Sequence, residues 1–116
     1  MKMFVSPSSI YLHRQFVDFR KSINGLSVII ESEMDLPTMS GGLFIFCNKG
    51  RDKLKILYWD NTGFALWYKR LEKDKFKWPK RMNEDCLELN EQQLNWLLKG
   101  YDIVGHQAVS YQNIAL

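Results

Sequence analysis

Three acidic residues, Asp18, Asp60 and Glu72, are the candidates for metal-dependent cleavage of a phosphodiester. That chemistry needs carboxylates that converge on two ions held about 4 Å apart. Asp18 precedes an apolar-periodic segment and is expected to cap a helix, while Asp60 opens the turn sequence Asp-Asn-Thr-Gly. Glu72 follows a predicted strand and stands beside Lys73. We expect structural roles for all three carboxylates, which makes a metal-dependent nuclease a distant third hypothesis.

The other side chains that could carry chemistry are scattered. His13, His106, Cys47 and Cys86 lack the spacing of a zinc site, and Cys47 falls in an apolar strand without an activating neighbour. We therefore expect no catalytic residue, no bound metal and no cofactor. Two cysteines without a CxxC motif favour a reducing cytoplasm, and no apolar run reaches the roughly 18 residues that a membrane span needs.

The basic residues, in contrast, are concentrated in one segment. Residues 49–81 contain eleven Lys or Arg and four Asp or Glu, a net charge of +7, whereas the rest of the chain carries −4. Basic side chains interleaved with aromatic ones suit phosphate backbones and stacking on bases or sugars. The candidate nucleic-acid-binding residues are Arg51, Lys53, Lys55, Lys69, Arg70, Lys73, Lys75, Lys77, Trp59 and Trp67. The alternative is that a helix covers the two Trp and that the cations are a solvated surface or meet an acidic partner.

Three apolar runs position this basic segment. Residues 43–47, 54–59 and 64–71 are predicted strands, and the turns between them are so short that the strands must be antiparallel. Weaker strands are predicted at 10–14 and 86–89. One helix is predicted from Phe19 to about Glu33 with Asp18 as N-cap, and another from Glu91 to Lys99. The predicted fold class is α+β, an antiparallel β-meander of three to five strands with two helices packed on one face.

Alternation along the second and third strands of this meander predicts a core face and a binding face. The helix-covered core face is formed by Ile56, Tyr58, Phe64 and Leu66. The opposite, binding face is formed by Lys55, Trp59, Trp67 and Lys69. On this interpretation Leu66 stabilises the fold, whereas the two lysines matter for partner binding and contribute little to stability.

The same segment contains a series of ordered motifs. They are Gly42-Leu43-Phe44-Ile45-Phe46, residues 51–60, Thr62-Gly63-Phe64, residues 66–72 and Phe76-Lys77-Trp78-Pro79, with weaker ones at 18–26 and 94–102. These motifs resemble the TnpB accessory proteins of insertion-sequence family 66, and not the RNA-guided nucleases that carry the same short name. Asp74 departs from the family, where many relatives have Gly, but Asp tolerates a turn well. The resemblance covers residues 10–102 of one predicted domain, 1–116, and the tail 103–116 is unassigned.

The resemblance implies an element-encoded accessory protein that helps a separate transposase to move DNA, without an established catalytic mechanism. We expect a non-enzymatic protein that supports transposition by binding DNA through the basic aromatic-rich meander. Sequence specificity is expected to be low, because the sequence lacks a recognition-helix signature. The alternative is a protein-interaction adaptor that docks on the transposase or on another accessory protein of the element. The sequence leaves these two functions open.

Overall fold

The computed structural model describes residues 7–79 and 86–103. Its elements, in chain order, are β1 (Ile10–His13), α1 (Ile23–Ser32), β2 (Leu43–Cys47), β3 (Lys53–Trp59), β4 (Phe64–Arg70), β5 (Cys86–Leu89) and α2 (Glu91–Leu98). The strands form one sheet in the order β4-β3-β2-β1-β5, which confirms the α+β class. His106 and most of the unassigned tail lie outside the described residues, whereas Ile103 is buried.

The sheet is mixed rather than purely antiparallel. β2, β3 and β4 form the predicted antiparallel meander, and β5 is antiparallel to β1. β1, however, pairs parallel with β2, with Ile10 opposite Leu43. The prediction of a wholly antiparallel sheet is wrong at this pair because α1 lies between the two strands. A parallel neighbour needs such a long crossover, and the helix supplies it.

The register of the β3–β4 hairpin differs from the predicted one. The Asp60 N–H donates to the Gly63 carbonyl at 2.7 Å. Asp60 and Gly63 are therefore the last hydrogen-bonded pair of the hairpin, and only two residues lie between them. Odd-numbered residues of β3 therefore face even-numbered residues of β4, as Trp59 faces Phe64. The predicted grouping of Ile56 and Tyr58 with Phe64 and Leu66 is wrong, since Ile56 lies opposite Trp67.

Both faces of the sheet are covered, each by one helix. On the α2 side, Leu94, Leu97 and Leu98 of the helix pack in one buried cluster with Leu43, Ile45, Leu54 and Ile56. On the α1 side, Leu26, Ile29 and Ile30 pack with Phe44, Phe46 and Leu57. The prediction that both helices share one face is therefore wrong. β2 is the physical reason, because its five residues are all buried and supply apolar side chains to both faces.

Lys55 explains why α1 begins later than predicted. Its ammonium donates to the carbonyls of Phe19 at 3.0 Å and Lys21 at 2.9 Å, and it lies 4.8 Å from the centre of the Phe19 ring. Those carbonyls are bonded to Lys55 instead of helical N–H groups, and α1 begins at Ile23 after Ser22. The lysine is 8% exposed, and burial lowers its pKa. The prediction that Lys55 is exposed on a surface face is wrong.

Residue types that favour helix ends cap α2. The side chain of Asn90 accepts from the Gln93 N–H at 2.8 Å, and the Gln93 side chain accepts from the Asn90 N–H at 3.0 Å. This reciprocal capping box satisfies two of the N–H groups that a helix start leaves unbonded. Gly100 follows the helix with φ of 86°, a conformation that glycine adopts without steric cost.

The buried lysine leads to a stability prediction. Lys55→Met keeps the apolar stem but removes the ammonium that joins two carbonyls of the 19–21 segment to the sheet. We expect a loss of about 1–3 kcal/mol in the free energy of unfolding, since hydrogen bonds to charged groups are among the stronger ones. Lys53→Met, on the same strand face but half-buried, should change it by about 0.5 kcal/mol or less. Denaturant unfolding of both variants measures this, and equal effects would contradict the anchoring role of Lys55.

Candidate nucleic-acid interface

After β4 the chain turns back along one end of the sheet as residues 71–79, here named the basic strap. Its buried side chains are Phe76, fully buried, and Trp78, 4% exposed, which both belong to the α2-side cluster. The indole N–H of Trp78 donates to the carbonyls of His13 and Arg14 at 3.2 and 3.0 Å. Burial alternates over residues 75–78, which leaves Lys75 and Lys77 exposed, and Lys73 lies in the exposed stretch before them. Burial of two aromatic anchors therefore holds Lys75 and Lys77 at the surface.

The turn between β2 and β3 accepts two hydrogen bonds from the strap. The Phe76 N–H donates to the Arg51 carbonyl at 2.6 Å, and the Lys75 ammonium donates to the Gly50 carbonyl at 2.8 Å. Arg51 has φ of 62°, an uncommon left-handed conformation for a residue with a side chain. The Asn48 side chain stabilises this turn by accepting from the Asp52 and Lys53 N–H groups. Its hydrogen bond to the Asp52 carboxylate lowers the pKa of that group.

The end of α2 supplies the third wall. The Gly100 N–H donates to the Leu97 carbonyl and the Tyr101 N–H to the Trp96 carbonyl, which is the Schellman pattern. The Lys69 ammonium donates to the Leu98 carbonyl at 2.8 Å, placing a cation at the negative end of the helix. β4 is thereby tied to the end of α2.

The strap, the turn and the end of α2 enclose one groove of about 500 Å³. It is lined by Arg51, Lys73, Asp74, Lys75, Phe76, Lys77, Lys99, Gly100 and Tyr101. Five cations and one carboxylate therefore face the same space. Within the described part of the chain, the ammonium groups of Lys73, Lys77 and Lys99 make no ion pair or hydrogen bond. They are available to an anionic ligand.

The predicted site residues separate into three groups. Arg51, Lys73, Lys75 and Lys77 line the groove. Lys53, Lys55, Trp59 and Arg70 lie on the α1 side of the sheet, where Lys55 is buried and Arg70 is paired with Glu72 at 2.9 Å. Trp67 and Lys69 lie on the α2 side, where Trp67 packs against the core and Lys69 binds the helix end.

The two Trp do not share a face, so the predicted binding face formed by Lys55, Trp59, Trp67 and Lys69 does not exist as one surface. Trp59 packs edge-to-face on Phe64, with ring centres 5.1 Å apart. The groove instead includes Lys99 and Tyr101, which are not among the predicted binding residues. The only local signal for Lys99 is its place at the end of a capped helix, and its proximity to the strap is a tertiary contact.

Two of the three candidate carboxylates are held in ion pairs, and the Cys47 thiol is buried. The Arg20 guanidinium binds the Asp18 carboxylate at 2.6 Å, and Glu72 pairs with Arg70. Burial raises the pKa of the Cys47 thiol to about 12, which leaves it a neutral thiol at neutral pH. Among residues 7–79 and 86–103, no three His, Cys, Asp or Glu side chains come together to hold a metal ion.

Comparison with known proteins identifies the family of this chain. Residues 8–108 match the family of IS66 Orf2-like proteins. The chain belongs to this family. Membership associates it with an insertion sequence and with an accessory role in transposition rather than with a known enzyme.

Two relatives come from Sinorhizobium fredii. Uncharacterized protein y4jC is 33% identical over 93 residues, which cover 80% of this chain and 79% of the relative. Uncharacterized protein y4hO is 27% identical over 93 residues, or 80% of each chain. No solved structure matches. In the part of the chain that the structure describes, neither helix has the length and apolar character to cross a membrane.

The ion pair at Asp18 gives a titration prediction. Hydrogen bonds from Arg20 to the carboxylate lower the pKa of Asp18 to about 2. The group should therefore stay ionised as the pH falls and take up its proton only near pH 2. Arg20→Ala should return the pKa toward 3.8, the ordinary value. Carboxyl NMR titration of the two proteins measures this, and an unchanged pKa in the variant would show that Arg20 is not the partner.

Proposed function

We propose that this IS66 Orf2-like protein binds DNA without cleaving it, and that binding through the basic groove supports transposition by a separate transposase. One observation carries the proposal: cations from three separate elements face one groove, and three of their ammonium groups have no partner among residues 7–79 and 86–103. Converging lysines and arginines neutralise phosphates and release the counterions that surround nucleic acid, which favours association.

The groove suits a phosphate backbone better than a small anion. Its cations come from residues 51, 73–77 and 99, so positive charge extends along the strap instead of surrounding one point. Tyr101, which is 46% exposed, adds an aromatic side chain at the margin. Stacking of sugars or bases on such a ring tolerates any sequence.

Low sequence specificity follows from the shape of the described elements. α2 has eight residues, starts with the acidic Glu91 and buries Leu94, Leu97 and Leu98 against the sheet. α1 likewise buries its apolar face and carries neither an acidic first turn nor a basic last turn. A helix that reads bases must project side chains into the major groove. The proposed contacts are therefore with phosphates, which position a protein without reading sequence.

A salt titration of DNA binding tests the proposal. For duplex DNA, the logarithm of the binding constant should fall by about 0.9 per phosphate neutralised for each unit of log salt concentration. The triple variant Lys73, Lys77, Lys99→Glu should abolish most of the binding and flatten this dependence. These three lysines are chosen because Lys75 also bonds Gly50, so its replacement would disturb the turn as well.

A matched pair of single variants separates the groove from net charge. Lys99→Glu and Lys21→Glu change the charge equally, and both lysines are exposed, but only Lys99 lines the groove. We expect Lys99→Glu to weaken binding about five- to tenfold at 0.1 M salt and Lys21→Glu to have a much smaller effect. Equal effects would contradict a defined groove. Absence of DNA binding, together with capture of the transposase or the other accessory protein, would instead establish the adaptor function.

A further inference from the structure

β4 is an edge strand with a regular row of backbone groups on its outer side. It pairs with β3, and no second strand neighbours it in the described part of the chain. Bonds from Asp60 to Gly63 and from Leu71 to Asp52 bracket the hairpin ladder. In an antiparallel pair, bonded and non-bonded positions alternate, so the positions at 65, 67 and 69 bond to β3. The N–H and C=O groups that point outward belong to Phe64, Leu66, Tyr68 and Arg70.

In the part of the chain that the structure describes, β4 has neither a proline nor a bulge, two of the devices that block pairing at a sheet edge. β4 runs for seven residues in unbroken register with β3 and contains no proline. Lys69, a residue type that often protects edges, is turned to the Leu98 carbonyl of α2. The apolar residues at 64–67 are only half-buried, whereas residues 54–58 of β3 are buried. β4 therefore offers both unpaired backbone groups and incompletely covered apolar side chains.

We propose that the edge of β4 pairs with β4 of a second copy of this chain, antiparallel and about a two-fold axis. Because the outward groups belong to even-numbered residues, bonded pairs must join even to even positions. The register that uses the whole strand pairs Phe64 with Arg70 and Leu66 with Tyr68 of the other copy. Trp67 then lies opposite Trp67 of the second copy, at the two-fold axis. This is a non-hydrogen-bonded pair, in which side chains approach closely.

Charge and side-chain type both favour a second copy of this chain as the partner of the β4 edge. Lys69 and Arg70 lie at one end of β4, and the uncharged Phe64 and Ala65 lie at the other. Antiparallel pairing separates the two basic ends and sets Arg70 against the Phe64 ring of the second copy, a favourable cation–aromatic contact. The central pairs are aromatic or aliphatic, the combinations that stabilise facing strands. Such a dimer would present two basic grooves related by the axis, but it does not depend on their binding DNA.

Backbone pairing is tested by sedimentation of the full chain and of two variants at one exposed position. Tyr68→Ala keeps the outward N–H, whereas Tyr68→Pro removes it without taking a bond from the β3 ladder. We expect a dimer for the parent chain, a weaker dimer for Tyr68→Ala, and a loss of affinity for Tyr68→Pro that is greater by about tenfold or more. A parent chain that is monomeric at the highest accessible concentration would overturn the proposal.

A second pair of variants tests the register and does not rely on proline. Ala65 faces Lys69 of the second copy, so Ala65→Glu should strengthen the dimer and Ala65→Lys should weaken it. Both changes lengthen the same half-buried side chain, and thermal unfolding of each variant checks that the fold is kept. Dimerisation that is equal in these two folded variants, or a dimer that survives Tyr68→Pro unchanged, would overturn the assigned pairing.

Discussion

The central strands of the sheet, β2 and β3, are buried on both faces, and the positions of the other elements follow from this constraint. A strand covered on one side only would leave either Phe44 and Phe46 or Leu43 and Ile45 in water. α1 and α2 must therefore lie on opposite sides. The chain can then reach β5, at the far edge, only by passing an end of the sheet. The basic strap makes the first part of that passage.

The strap links the core to the proposed function. Phe76 and Trp78 bury apolar surface that stabilises the fold, and the same burial orders Lys77 between them and Lys75 beside them. A binding surface held in place by the core loses less conformational entropy when a ligand arrives than a flexible tail would. Lys55 and Lys69, unlike the strap lysines, have a structural role. Lys55 bonds the 19–21 segment to β3, and Lys69 bonds the end of α2 to β4.

Local patterns predict the local features of this fold, and distant contacts account for the rest. Asn90 and Gly100 mark α2 because capping is a property of a few neighbouring residues. Which face of the sheet each helix covers depends on contacts between distant parts of the chain. The unbroken apolar run of β2 is nevertheless typical of a strand that is buried on both faces. Lys55 could not be told from an exposed lysine by sequence, because its carbonyl partners lie 34 and 36 residues away. Of the groove, the concentration of basic residues in the sequence predicts Arg51 and the strap lysines, but only folding brings Lys99 to them.

The most direct test of the central claim is a map of backbone amide chemical shifts while a short DNA duplex is added. Shifts report contact residue by residue and do not require a variant. We expect the largest changes at residues 50–51, 73–77 and 99–101, which surround the groove. Saturable changes confined instead to α1 or to the β4 edge would contradict that claim.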